Sequence, residues 1–285
     1  MSDPLLEAVT RGVRVFDLGR PMFTGMPQSP NHPRFLHSVT RRHGDVVRAD
    51  GGSAATDLLV TGTHVGTHID ALAHVSHDGM LHGGIEASLA MRGGKFIAHG
   101  VDTIAPIVRR AVLLDIPATL GTDVCAPAHE ITAAELTATA DRQNVTVGAG
   151  DVVLIRTGWG RRFDEGTESY LGFGTGVPGV GEEGARWLAG LGILAAGADT
   201  VAFERLAPGE GHALLPAHRI LLVEHGIYIV EALNLEELAL AALAEFTVVL
   251  APLNLVGATG SPVRPLAVVS DDGVSDDGIS DGAHD

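Results

Sequence analysis

The sequence predicts an α/β fold in a single domain. Three observations carry this. Apolar, β-prone runs alternate with capped helical segments through the second half. The first half is richer in strands and loops. A chain of 285 residues, 45% of them apolar, can bury a sizeable core.

Taken in order, Arg14-Val15-Phe16-Asp17-Leu18 reads as a short strand. It opens into a stretch with Pro21, Gly25, Pro27, Pro30 and Pro33 that no regular element tolerates. So stiff a segment either walls a pocket or forms a surface arm. Thr56 to Thr61 is β-prone and leads into a histidine-rich stretch placed where a strand runs into a loop. Gly83 to Ala90 predicts a short helix, and Ala111 to Ile116 a buried strand stopped by Pro117. Thr132-Ala-Ala-Glu135 has capping-box form and starts a helix through about Asp141. Asp151 to Arg156 is the next strand. It ends in Thr157-Gly158-Trp159-Gly160, whose glycines let the indole face approach a ligand or else serve packing. Glu182 to Leu191 is helical with Gly192 as its stop, and Ile193 to Ala198 is a strand. Pro216-Ala217-His218 precedes a helix from Arg219 to Glu224, and Ile227 to Glu231 is a strand. Asn234-Leu-Glu-Glu237 caps a helix to about Ala244, and strands follow at Phe246 to Leu250 and Leu266 to Val269.

Composition excludes several classes. The net charge of −16 argues against nucleic acid or an anionic membrane as partner. Six of those charges are aspartates in the last fifteen residues, so the domain is assigned to residues 1–270 and a solvated acidic tail to 271–285. The near-repeat in that tail invites a calcium reading, but it lacks a bidentate glutamate and a loop of EF-hand length. The single cysteine, Cys125, fits a reducing compartment. With neither a signal-peptide pattern nor an apolar run approaching the roughly 20 residues of a membrane span, the expectation is a cytoplasmic protein.

The chemistry concentrates in Thr63 to His74. His64, His68, Asp70 and His74 all fall on even positions, which in an extended strand would put them on one face. A helix would turn Asp70 away, and Gly66 would weaken it. Two imidazoles and a carboxylate around one point are what a divalent transition metal needs, with His74 at the edge, free to move a proton. Any one of the fourteen histidines is more simply a surface or core residue. Burying this set without a metal, however, would leave several groups unsatisfied, each costing about 1–3 kcal/mol. Two further residues have ligand character. His218 sits just before a helix, and Glu231 closes an apolar strand where an unpaired carboxylate would be very costly.

The run His64-Val-Gly-Thr-His68-Ile-Asp70-Ala-Leu-Ala-His74 resembles the His-x-Gly-Thr-His-x-Asp-x-Pro-x-His signature of the cyclase family, which includes bacterial kynurenine formamidase and isatin hydrolase. The resemblance takes in Phe16-Asp17-Leu18, Gly25-Met26-Pro27, Thr157-Gly158-Trp159-Gly160 and Leu215-Pro-Ala-His218. It continues through Gly226 to Glu231, Pro252-Leu253 and Gly257 to Pro265. Leu72 stands where the signature has proline. The resemblance implies a swivelling β/β/α fold, a mixed sheet with flanking helices, and a homodimer or homotetramer. It implies a divalent metal, Mn2+ or Zn2+, and hydrolysis of a small amide or cyclic amide. By position, His64, His68 and Asp70 correspond to the first metal's ligands and His74 to the catalytic histidine. His218 and Glu231 correspond to residues that help bind a second metal in the formamidase branch. The spacing between these two is one residue longer than in formamidases, and isatin hydrolase is a one-metal manganese enzyme, so one ion or two stays open. Glu231 is assigned to bind metal or orient water, and His74 to carry the proton to the leaving nitrogen, which suits a near-neutral pKa.

Other classes were weighed. His68, Asp70 and His218 could form the two-His-one-carboxylate triad of a non-haem iron oxygenase, but this leaves His64 idle and calls for a jelly roll. A lactonase or polyketide-type cyclase would need the same apparatus as an amidase. A catalytically silent metal-binding protein would have no use for His74 and Glu231. Trp159, Phe23 and Phe35 either shape an aromatic-friendly pocket or, more simply, pack.

Overall fold

A computed structural model describes residues 3–271; the acidic tail beyond Asp271 lies outside the described residues. Nine strands form one mixed sheet. In chain order they are β1 (Val13–Asp17), β2 (His68–Asp70), β3 (Ile107–Asp115), β4 (Val152–Arg156), β5 (Ala195–Ala198), β6 (Tyr228–Glu231), β7 (Glu245–Leu250), β8 (Gly260–Pro262) and β9 (Leu266–Ser270). Their spatial order is β1-β9-β7-β3-β4-β5-β6-β2-β8. The central run β3-β4-β5-β6 is parallel, and antiparallel strands extend it on both sides.

Burial follows from that topology. The parallel strands are covered on both faces, so Val112-Leu113-Leu114, Val152 to Ile155 and Ala195 to Ala198 are buried without alternation. Towards one edge, β7 alternates, with Phe246, Val248 and Leu250 buried and the residues between them more exposed. One face packs Leu114, Ile116, Leu136, Leu188 and Ile220 beneath the helices α1 (Ala133–Gln143), α2 (Glu182–Gly190) and α3 (Arg219–His225). The other face packs Phe16, Leu113, Leu154, Val230, Leu238 and Phe246. The α/β fold with a mixed sheet and flanking helices is the one expected, and the jelly roll that an oxygenase reading called for is not formed.

Most elements fall where the sequence placed them, and the differences have local causes. The capping box forms in full: Thr132 accepts from the Glu135 N–H, and Glu135 accepts from the Thr132 N–H. The box predicted at Asn234 does not form. The helix there is only Glu236–Leu240, and no side chain caps it. The neighbouring Glu236 carboxylate accepts from Arg156 and Arg161, and Ala242 turns left-handed (φ +52°), ending the helix well before Ala244. The helix predicted from Gly83 shrinks to Ala87–Ala90, because Gly83 and Gly84 both adopt positive φ. Pro117 does stop β3, but from within the first turn of a short helix, Ile116–Leu120, capped by Asp115. The stretch Arg219 to His225 winds as a π-helix and stops at Gly226 (φ +69°). Thr56–Val60 pairs with Leu36–Arg41 in a hairpin outside the main sheet, exposed along its length. No helix among the described residues is long and apolar enough to cross a membrane.

The buried Arg156 fork, bound by Asp115 and Glu236, ties β4 to the end of β3 and to the segment after β6. Burial works against the Glu236 carboxylate, but Arg156 and Arg161 outweigh it and hold its pKa below the usual value. A carboxylate with a depressed folded pKa stabilises fully above its unfolded pKa and loses that contribution as pH falls through the folded one. Chemical denaturation as a function of pH should therefore show an acid-side loss that is shallower in Glu236→Gln. An unchanged profile would remove this pair from the account.

Candidate active site

The predicted cluster assembles, though not by strand alternation alone. Only His68-Ile69-Asp70 is extended, so parity places His68 and Asp70 on one face of β2. His64 comes from the preceding turn and His74 from the following one, where the His74 N–H donates to Ala71 O (2.9 Å). Leu72, in the signature's proline position, is buried in the core, and the turn closes without the proline. The expectation of one continuous strand is corrected by Gly66. It lies left-handed (φ +67°), and a Cβ there would press on Met22 and Met26. Gly260 on β8 faces Asp70, and a Cβ at that position would stand 2.5 Å from the His64 ring. Glycine opposite the aspartate thus leaves the space that His64 occupies.

The second half of the site arrives by sheet pairing. Glu231 on β6 lies directly opposite His68 on β2, so the two side chains share a face. His218 enters from the start of the helical segment beyond β5. All six predicted residues converge, and all but His74 are buried.

The hydrogen bonds define what each imidazole offers. His64 Nδ1 donates to Asp70 Oδ1 (2.6 Å), and its Nε2 meets the Thr259 hydroxyl (2.9 Å). His68 Nδ1 donates to Gly66 O (2.8 Å), leaving Nε2 3.5 Å from Asp70 Oδ1 and 3.4 Å from Glu231 Oε2. His218 Nδ1 donates to Glu204 Oε1 (2.6 Å), leaving Nε2 3.2 Å from Glu231 Oε1 and 3.6 Å from Asp70 Oδ2. The latter distance is too long for a hydrogen bond, and Asp70 Oδ2 is buried without a hydrogen-bond partner.

Electrostatics sharpen the picture. Burial lowers the His68 pKa to about 4, so its ring is neutral and Nε2 carries a lone pair. That lone pair faces two carboxylate oxygens, which are also acceptors. Burial raises the Glu231 pKa to about 7 against the pull of His218. Burial likewise opposes charge on Asp70 and His218. For Asp70 the neighbouring His74, His218 and His64 prevail and hold the pKa well below the carboxylate range. For His218 the carboxylates of Asp70, Glu204 and Glu231 prevail and hold the ring protonated well above the usual range. Without an ion, the protein compensates these three buried carboxylates with a proton on His218. Acceptors crowded around an orphaned carboxylate oxygen fit a divalent cation, which needs deprotonated ligands of this kind. Two overlapping sets among the described residues could hold one, His64 with Asp70 and His74, and Asp70 with His218 and Glu231.

His74 stacks on His64 with ring centroids 3.8 Å apart. Burial lowers its pKa to about 3, below the near-neutral value expected from sequence, so the ring is neutral. The cavity beside it holds about 180 Å3 and is lined by Gln28, His32, Tyr170 and His212 together with the cluster. The proline-rich segment does wall it, through Pro27 to His32. Trp159 and Phe35 do not line it. They are buried in a neighbouring apolar cluster, and Trp159 Nε1 donates to Tyr170 O (2.8 Å). Phe23 is exposed, edge-on to Phe163.

Sequence reasoning missed Glu204, Thr259, His32 and His212. Glu204 follows the apolar Val201-Ala-Phe203 much as Glu231 follows Ile229-Val230, so the same out-of-pattern carboxylate would have found it. It accepts from the backbone of Ala217 and His218 as well as from the His218 ring. The residues flanking the two glutamates, Phe203 and Ala232, both have positive φ (+58° and +54°), strain that the surrounding packing holds in place.

Together these features define a class: an α/β domain that presents a buried imidazole–carboxylate cluster on the short strand near one end of its sheet. The Cyclase family profile, described as "Putative cyclase", matches residues 16–205, and the chain belongs to this family. A relative named Cyclase-like protein 2, from Oryza sativa subsp. japonica, is 29% identical over 220 residues, 77% of this chain and 67% of that protein. Isatin hydrolase from Roseibium aggregatum is 24% identical over 223 residues, 78% of this chain and 77% of that one. Among solved structures, one described as a novel cyclase superposes with a TM-score of 0.80 at 25% identity, covering 93% of each chain. Isatin hydrolase A from Ralstonia solanacearum superposes with a TM-score of 0.71 at 25% identity, covering 93% of this chain and 95% of the other.

Glu204 fixes the His218 ring so that Nε2 faces the cluster. Glu204→Gln should keep the fold by circular dichroism and lower affinity for Zn2+ or Mn2+ by roughly 10–100-fold in competition with a chromophoric chelator. Unaltered affinity would reduce Glu204 to a packing role.

Proposed function

We propose that the chain is a metal-dependent hydrolase that cleaves the C–N bond of a small amide or cyclic amide. The observation that carries this is Asp70 Oδ2, buried without a hydrogen bond and 3.6 Å from His218 Nε2, in a cluster where His68 Nε2 faces the carboxylates of Asp70 and Glu231. Several of the similar proteins are named isatin hydrolases, which supports the choice of a cyclic amide. His64, His68 and Asp70, with His218 and Glu231, are assigned to hold one or two divalent ions, Mn2+ or Zn2+. Such an ion supplies Lewis acidity towards water and the substrate carbonyl.

The chain's own residues supply the rest. Asp70 sits where both candidate sets meet and provides their shared negative charge. Thr259 and Gly66 hold the rings of His64 and His68 in orientation. Glu231, opposite His68 in the sheet, is assigned to hold metal or to orient water. His74 lines the cavity as a neutral ring and is assigned the transfer of the proton to the leaving nitrogen.

Three measurements test this. Metal-analysed protein offered isatin, N-formylkynurenine, simple lactones and hydantoin-like rings should cleave an amide. Turnover of lactones alone would favour the lactonase reading. Asp70→Asn should lose both bound metal and activity, since it removes the carboxylate common to both sets. His74→Ala should lower turnover by roughly 10²–10⁴-fold with metal content intact. Loss of metal in that variant would make His74 a ligand instead.

A further inference from the structure

The Thr157-Gly158-Trp159-Gly160 motif after β4 does not line the histidine-walled cavity, yet it is built around a charged side chain. Asp199 Oδ1 accepts from the Thr157 N–H (2.9 Å) and hydroxyl (2.6 Å), and its Oδ2 accepts from the Gly160 N–H (3.3 Å), which fixes the turn. The Arg20 guanidinium passes along the bare Cα of Gly160, where a Cβ would collide with Nη2. It lies over the Phe163 ring, 4.8 Å from the centroid, and 5.9 Å from that of Tyr170, a residue of the cavity wall. Gly160 thus makes room for an arginine.

Arg20 is engaged through both its backbone and its side chain. Its N–H donates to the Thr67 hydroxyl (2.9 Å), which donates in turn to Ala232 O (2.7 Å). Its Nη2 donates to Leu233 O (2.9 Å). Thr67 immediately precedes His68, and Ala232 immediately follows Glu231. The pair of His68 and Glu231 is the last rung between β2 and β6. Beyond it Ala232 turns left-handed (φ +54°), so sheet pairing alone does not hold this end. The bond from Thr67 to Ala232 takes the place of the next rung, and Arg20 braces it from both sides. One atom is sacrificed to this arrangement: Arg20 Nε is buried without a hydrogen-bond partner, which packing alone does not explain.

We propose that Arg20 is a positioning residue for the metal-binding cluster. It braces the residues flanking His68 and Glu231 so that these two side chains stay face to face, with His68 Nε2 3.4 Å from Glu231 Oε2. This rests on the reading of the cluster as a metal site and deepens it by naming what holds the pair together.

The test is read first on the metal-free chain. In Arg20→Ala, hydrogen exchange in peptides spanning residues 228–235 should speed up roughly tenfold, while exchange in α1 stays unchanged. Affinity for Mn2+ or Zn2+, by competition with a chromophoric chelator, should fall by roughly 10–100-fold with circular dichroism intact. Millimolar ethylguanidinium should recover most of that loss, and urea at the same concentration should not. Arg20→Lys keeps the charge but not the planar fork and should stay impaired. Gly160→Ala should reproduce the loss, and the double variant with Arg20→Ala should be no worse than either single one, because both empty the same seat. Thr67→Val severs the bridge at nearly constant volume and supplies the same readings if Arg20→Ala fails to fold. Unchanged exchange at 228–235, or faster exchange with unaltered metal affinity, would overturn the positioning role. Faster exchange in a protein whose parent binds neither ion would instead defeat the metal reading and leave the bracing by Arg20 standing.

Discussion

A single buried carboxylate organises this protein. Asp70 sits fully buried on a three-residue strand, one oxygen bound by His64 and the other without a hydrogen bond. An uncompensated carboxylate in such a place is among the most costly features a core can carry. The surrounding architecture supplies that compensation. β6 and β8 pin the short strand on both sides, and three imidazoles and a second carboxylate converge on it from four segments of chain.

The compensation is supported one layer further out. His68 and His218 each commit one nitrogen to the protein, to a backbone carbonyl and to Glu204, and His64 commits both, to Asp70 and Thr259. Commitment of one nitrogen fixes the orientation and role of the other. Glycine at 66 and 260 opens the space that the rings need, and the backbone beside Glu204 and Glu231 accepts unfavourable torsions to aim those carboxylates. Stability has been given up locally so that charged and lone-pair groups face one another, a pattern that belongs to binding and catalysis rather than to packing.

Legibility in the sequence varied with the range of the interaction. Periodicity marked β3, β4 and β6, and the capping box at Thr132 was read correctly because its donors and acceptors lie within four residues. The same signal misled at Asn234, where the helix begins only at Glu236 and no side chain caps it. The even spacing of His64, His68, Asp70 and His74 identified the right cluster with an incomplete geometry, since left-handed Gly66 breaks the strand that parity assumed. Trp159 drew notice for its flanking glycines, yet its burial shows why an aromatic in a motif is more often packing than binding surface.

By itself, then, the sequence determined the α/β class, the chemical identity of the cluster and its membership in one local run, because these depend on residue type and near-neighbour spacing. The tertiary structure alone decided that Glu231 lies opposite His68, that Glu204 orients His218, and that the proline-rich arm closes the cavity. It also decided that the His74 ring rests neutral. Each of these depends on sheet register and on desolvation, quantities set by which distant segments meet and how far they exclude water, and no local pattern encodes them.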